Sequence, residues 1–132
     1  MYDLMDFRGT VMELLGIEHR EVTKERVVLT MPVTPKTHHP MGALHGGVSV
    51  VLAETAATMG AWMNLDRERQ LAVGLEINAT HVHPKRSGTL TATATPAHLG
   101  HAASVWDIRI TDEQGRLVCV SRCTLAIVDR KA

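Results

Sequence analysis

The stretch from Gly47 to Met63, GVSVVLAETAATMGAWM, limits what this chain can fold into more than any other segment. It is nearly apolar on every side of a helix and carries a single charge, Glu54. A helix of that kind is buried all round, so the rest of the chain has to surround it. A membrane span is the competing reading for an apolar run of this length. The carboxylate at mid-segment and the many small residues argue against it.

The material that does the surrounding is strand. Gln70 to His83, Thr89 to Pro96, Ala102 to Thr111 and Arg116 to Val128 are rich in Val, Ile and Thr. They are separated by turn-forming residues at Pro84 to Gly88, Leu99-Gly100-His101 and Asp112 to Gly115. Thr89, Thr91, Thr93 and Thr95 alternate with Leu90, Ala92, Ala94 and Pro96, the pattern of a sheet wet on one face. Ahead of the apolar segment, Leu4, Phe7, Val11, Leu14 and Leu15 lie at helical spacing between a capping Asp3 and a stop at Gly16. Glu25 to Val33 alternates as a strand and runs into a Pro-bearing loop from Thr34 to Gly42 that cannot be helical throughout. The expected architecture is α+β, an antiparallel sheet curled around one long central helix.

A chain of 132 residues that is 45% hydrophobic can bury such a core as one domain, 1–132, without disulfides or a structural metal. Cys119 and Cys123 fall on one predicted strand, roughly 13 Å apart and beyond disulfide reach, so they read as packing residues. Lys plus Arg and Asp plus Glu both total 14, and aromatic content is 3%, which argues against nucleic acid or an anionic membrane as partner. The N-terminus has acids where a secretory signal has bases, and no apolar run follows, so a cytoplasmic location is expected.

Glu54 sits between Val50-Val51-Leu52-Ala53 and Thr55-Ala56-Ala57, where a carboxylate must be paired, protonated or lining a cavity. Such a group is a functional-site candidate. A second signal is His45-Gly46-Gly47 at the helix start, where free backbone N–H groups favour developing negative charge and glycine allows close approach of a carbonyl. Gly46 and Glu54 are eight residues apart, roughly 12 Å along a helix, so one reacting carbonyl cannot touch both. Pairing two such helices antiparallel across a two-fold axis would bring Glu54 of one subunit opposite the His45-Gly46 end of the other.

The run from His39 through His45-Gly46-Gly47 to Glu54 resembles the active-site signature of the hotdog-fold thioesterases. It is most similar to the phenylacetate-degradation and Arthrobacter-type 4-hydroxybenzoyl-CoA branch. Val73 to Val82 and Pro96 to Gly100 also look like enzymes acting on 1,4-dihydroxy-2-naphthoyl-CoA and on misloaded aryl carriers. The resemblance spans nearly the whole chain after residue 25. It implies hydrolysis of an acyl-CoA thioester, in a homo-oligomer with shared sites and without a cofactor. Glu54 would be nucleophile or general base, the Gly46 N–H the oxyanion donor, and His45 and Thr58 neighbours of the reaction centre. Gly74, the segment His81, Val82, His83, Pro84 and the turn at His98, Leu99, Gly100, His101 would contact substrate.

The chain departs from those relatives at His39, where they carry a Gln that polarises the thioester carbonyl. A histidine can donate the same hydrogen bond if the proton is on the correct nitrogen, but its charge varies with pH. The role could instead fall to His38 or His45. Among eight histidines, His38-His39 and His81/His83 have ligand-compatible spacing, yet no cysteine cluster or HExxH accompanies them, and no metal is expected. A hotdog hydratase would open its helix with Pro-Gly rather than His-Gly-Gly, and the intact Glu54 argues against an idle acyl-CoA-binding module.

Overall fold

A computed structural model describes residues 3–131, so the first two residues and the last of the expected 1–132 span lie outside the described residues. In chain order the elements are helix α1 (Val11–Leu15), strands β1 (Glu18–Val22) and β2 (Val27–Val33), a 3-10 turn at Pro35–Thr37, helix α2 (Gly46–Met63), and strands β3 (Gln70–His81), β4 (Gly88–Leu99), β5 (Ala103–Thr111) and β6 (Leu117–Asp129). The six strands form one antiparallel sheet in the order β1-β2-β4-β5-β6-β3, with α2 on its inner face. This is the architecture expected from the sequence. The hairpins β4-β5 and β5-β6 come from the predicted turns, and β3 crosses over to pair with β6.

Small residues let α2 lie close to the sheet. Ala53, Ala56, Ala57 and Gly60 are buried on it, and at Gly60 an added Cβ would come 2.5 Å from the ring of Trp106 on β5. Trp106 is fully buried and satisfies its indole N–H by donating to Ser104 Oγ at 2.7 Å. The alternation predicted for β4 holds as far as Ala94: Leu90, Ala92 and Ala94 are buried, and the intervening threonines face outward.

The expectation that α2 is buried on every side is corrected. Gly47 is exposed, and Val51, Glu54, Thr55 and Thr58 are only partly buried, tracing one stripe at helical spacing. One sheet covers about half of a helix circumference, so an apolar helix surrounded by a single chain keeps one side open.

Several boundaries also differ. The predicted N-terminal helix shrinks to Val11–Leu15, with Gly16 at φ +73 as its stop. Upstream, Asp3 and Asp6 accept from the backbone N–H groups of Met5 and Arg8 instead of capping a longer helix, and Gly9 adopts φ +71. Such Asx turns compete with helix. Strand β1 was not anticipated because Glu18-His19-Arg20-Glu21-Val22 is mostly charged; it is an edge strand, where charge is usual. The hairpin joining it to β2 closes at Thr23–Arg26, which moves the start of β2 from Glu25 to Val27. β4 continues beyond Pro96 to Leu99 through a register shift between Pro96 and His98, whereas β3 ends at His81 rather than His83.

Because Gly60 faces the Trp106 ring directly, Gly60→Ala should destabilise the fold by about 1–3 kcal/mol through overpacking. The check is a urea titration at fixed protein concentration, in which the midpoint falls and the slope is unchanged.

Candidate active site

Three of the clefts along α2 hold predicted site residues. The first is a cleft of 230 Å³ lined by Val51, Glu54, Thr55, Thr58 and Met59 of α2 and by Leu4, Phe7 and Met12 of the N-terminal segment. Glu54 and Thr58 share it, one turn apart as their spacing requires. Among the described residues the Glu54 carboxylate has no hydrogen-bond or ion-pair partner.

Glu54 is seated on β3. A Cβ at Gly74 would overlap Glu54 Oε2, so glycine at this position leaves room for the carboxylate where it stands. The strand reaches this position through a bulge: the register with β6 shifts between Gly74 and Glu76, leaving Leu75 unpaired and 68% exposed. Plain alternation along Gln70 to His83 would face Leu75, Ile77 and Ala79 inward; the one extra residue at Leu75 makes the inward residues Gly74, Ile77 and Ala79 instead. Beneath the carboxylate lies Cys123, whose thiol is pushed up to about 12 by burial and by the nearby Glu54 and Glu76 carboxylates. Burial likewise raises Cys119. Both cysteines are free and fully buried, consistent with packing residues rather than nucleophiles.

The second cleft, at the start of α2, is lined by His39, Gly46, Ser49, His81, Val82, His83 and Pro84 among others. Its walls are drawn together by hydrogen bonds between the loop before α2 and the segment after β3. Leu44 N–H donates to Lys85 O at 2.8 Å, His38 Nε2 to Arg86 O at 2.8 Å, and Arg86 to Gly42 O at 3.3 Å. Lys85 is held in turn by Glu113, whose carboxyl that ion pair and the Thr89 N–H lower to about 2. His38 is thus committed to a backbone carbonyl, which removes it from the alternatives for polarising a substrate.

His45 caps α2, its Nδ1 accepting from Gly47 N–H at 2.9 Å. His39 Nδ1 accepts from Met41 N–H at 3.1 Å in a turn closed by Gly42 at φ +83. In each neutral ring the proton is therefore on Nε2, the nitrogen free to donate outward. The Gly46 N–H has no acceptor among the described residues. Over it lies the His81 ring, with Nε2 2.6 Å from where a Cβ on Gly46 would stand. Ser49, which the sequence reading passed over, opens on this cleft with a buried hydroxyl that has no partner among the described residues.

The third cleft, at the far end of α2, is lined by Leu99, Gly100 and His101 with Asn64 and Ile127. His98 stands beside it, its ring close over Gly100. The 18 residues of α2 span about 27 Å, and this turn lies at the opposite end of the helix from Gly46. A single chain thus brings Glu54, Thr58 and Gly74 together, and separately His39, His45, Gly46 and His81 to Pro84. It does not join the two sets. Missed by the sequence reading were Leu4, Phe7 and Met12 in the Glu54 cleft; Leu4 and Phe7 had only an apolar spacing that read as ordinary helix packing, and Met12 lay outside that spacing. Among the described residues there is no group of three or more His, Cys, Asp or Glu able to hold a metal, and no helix long and apolar enough to cross a membrane.

The family profile described as the thioesterase superfamily matches residues 41–119. The 1,4-dihydroxy-2-naphthoyl-CoA hydrolase of Listeria monocytogenes is 47% identical over 121 residues, covering 92% of this chain and 98% of that protein. The proofreading thioesterase EntH of Cronobacter turicensis is 42% identical over 120 residues, covering 91% and 87%. A crystal structure of a mutant thioesterase from Pseudomonas aeruginosa superposes with a TM-score of 0.91 at 41% identity, covering 94% of this chain and 89% of that one. The chain belongs to the thioesterase superfamily and is a thioester hydrolase of the hotdog fold.

A methyl group at Gly74 must displace the Glu54 carboxylate. Gly74→Ala is expected to lower thioester hydrolysis by about two orders of magnitude. Far-ultraviolet circular dichroism should be unchanged, which separates the effect from unfolding.

Proposed function

We propose that this hydrolase acts on acyl-CoA thioesters, with aryl acyl groups preferred, in an obligate dimer whose two sites are each shared between subunits. The observation that carries the reading is the separation just described. The Glu54 cleft and the Gly46 cleft lie at different heights on one helix, along a stripe that a single sheet leaves open. An antiparallel helix pair would cover the stripe and set Glu54 of one chain opposite Gly46 and His39 of the other. The third cleft, with His98 to His101, would then approach the partner's His81 to Pro84 segment, so that both line the path of the CoA moiety.

The sheet edges support the same pairing. β3 is a 12-residue edge strand with Val73 50% exposed and Leu75 68% exposed, lacking the lysines and prolines that usually guard such an edge. Further pairing of dimers into a tetramer follows the family's habit and is part of the proposal. Each catalytic unit would comprise two copies of one domain, residues 1–132, located in the cytoplasm, where thiols such as Cys119 and Cys123 stay reduced.

In this arrangement Glu54 either takes a proton from a water that attacks the thioester carbonyl carbon, or attacks that carbon itself to give an anhydride that water then opens. Either way, negative charge develops on the carbonyl oxygen, the C–S bond breaks and the CoA thiolate leaves. The Gly46 N–H at the helix start receives the oxyanion, with the Nε2–H of His39 as the donor that replaces an amide. His45 holds the helix start in place, and Thr58 lines the carbonyl side of the Glu54 cleft. Naphthoyl-CoA hydrolysis by the Listeria relative favours an aryl group, as does an apolar cleft.

Glu54→Gln should lower turnover by two or more orders of magnitude while benzoyl-CoA binding survives. Mixing the inactive Glu54→Ala chain with an inactive Gly46 variant should restore activity in heterodimers that carry one complete site. No recovery, or an active monomer by light scattering, would refute the shared site.

For His39, the tautomer set by Met41 makes a specific prediction. With Nδ1 occupied by the Met41 N–H, Nε2–H is the donor left for the thioester carbonyl. His39→Gln, which supplies an amide N–H in its place, should keep activity, whereas His39→Ala should cost roughly one to three orders of magnitude. Equal activity of His39→Ala and wild type would reduce His39 to a loop residue.

A further inference from the structure

The N-terminal segment is attached to the rest of the chain differently from every other part. Its backbone hydrogen bonds, among the described residues, are all local: Asp6 N–H to Asp3 O, Thr10 N–H to Phe7 O, Leu14 N–H to Thr10 O, and Ile17 N–H to Met12 O. Its side-chain bonds, Arg8 with Asp6 and Thr10 Oγ1 to Phe7 O, are local too. No strand pairing ties residues 3–15 to the sheet. What holds them down is apolar packing of Leu4, Phe7, Met12 and Leu15 against the core. Three of these four side chains also wall the cleft that contains Glu54.

Phe7 stands apart within this set. It is the only phenylalanine of the chain, and its ring stacks on His19 of β1 with centroids 4.3 Å apart at 29°. His19 Nε2 is buried with no hydrogen-bond partner among the described residues, so the imidazole acts there as a flat packing surface for the phenyl ring. The stack fixes where the Phe7 ring ends, and the Phe7 ring closes one side of the cleft. Its volume of 230 Å³ compares with a cavity of about 150 Å³ that accepts benzene, so the cleft is large enough for one ring and a small substituent against the Phe7 wall.

We propose that residues 3–15 form a specificity cap for the acyl group, with Phe7 the residue that sets its length and His19 the positioning residue that braces Phe7. The proposal rests on the reading that the Glu54 cleft is the acyl end of the site. It assigns a preference for compact apolar acyl groups to a segment outside the matched family profile, and to side chains that carry no part of the reaction. Because the cap is locally hydrogen-bonded, a change at Phe7 alters the cleft without unzipping the sheet.

The test compares kcat/KM for benzoyl-CoA and decanoyl-CoA in wild type, Phe7→Ala and Phe7→Trp. Removing the ring should shift the benzoyl-to-decanoyl ratio toward decanoyl by tenfold or more, since one methylene in an apolar pocket is worth roughly tenfold or more in discrimination. Filling the cleft with Phe7→Trp should depress benzoyl-CoA at least tenfold relative to acetyl-CoA, and this variant decides the matter if Phe7→Ala does not fold. His19→Ala should raise KM for benzoyl-CoA with kcat little changed, and His19→Phe, which restores a flat ring, should bring KM back. Calorimetry with non-hydrolysable thioether analogues of both substrates reads the cap independently of catalysis. Failure of wild type to hydrolyse either thioester would sink the acyl-CoA reading and leave the cap to be judged by binding alone. Ratios and affinities unchanged within twofold in both Phe7 variants would overturn the cap.

Discussion

The separation between α2 and the sheet is the constraint from which the rest of the molecule follows. Two glycines set it. Gly60 admits the Trp106 ring beneath the helix, and Gly74 admits the Glu54 carboxylate above β3. A side chain at Gly60 would press on the buried Trp106 ring, and one at Gly74 would turn the carboxylate away from the strand. Packing density and the placement of a chemically active group are therefore one requirement here, met by leaving side chains out. The bulge at Leu75 belongs to the same requirement, because it puts Gly74 and Ile77 on the inner face together.

The fold was legible because its signals are periodic and long. An apolar 17-residue run flanked by His-Gly-Gly and followed by four Val- and Thr-rich segments left few architectures open. The Glu54 position and the residues of the second cleft were legible for a related reason: a lone carboxylate in an apolar helix and glycines at a helix start conflict with local propensity, and such conflicts collect at functional sites. Failures arose where one residue changes the alternation or where local polar groups decide. A single unpaired Leu75 moved one inward position from Leu75 to Gly74, while Ile77 and Ala79 kept theirs. Asp3, taken as a helix cap, and Asp6, which went unremarked, satisfied backbone donors in turns, and α1 was shorter than expected. β1 escaped notice because an edge strand built from Glu18, Arg20 and Glu21 has no apolar alternation to detect.

The histidines illustrate how much of a site is invisible until hydrogen bonds are drawn. Five of the eight fall in the two adjoining stretches 38–45 and 81–83, and the sequence could not rank them. In the structure His38 is spent on the Arg86 carbonyl, whereas His39 and His45 each take a backbone N–H at Nδ1 and turn Nε2 outward. His81 is placed by glycine, its ring occupying the space that any side chain at Gly46 would take. The loop before α2 thus selects tautomers as well as positions, and it does so with main-chain donors that no pattern of residue types reveals.

The two borders of the sheet are unequal. β1 carries Glu18, Arg20 and Glu21, while β3 presents unguarded main-chain groups beside Val73 and Leu75. Joining two copies along β3 would leave a β1 at each outer end of the continuous sheet. Such a ribbon would be self-limiting along the sheet, because its charged β1 ends are a poor template for another strand, so the sheet itself would end at two chains and any larger assembly would use another face. Under the proposed pairing, unequal borders would let one strand associate without making the sheet prone to polymerise.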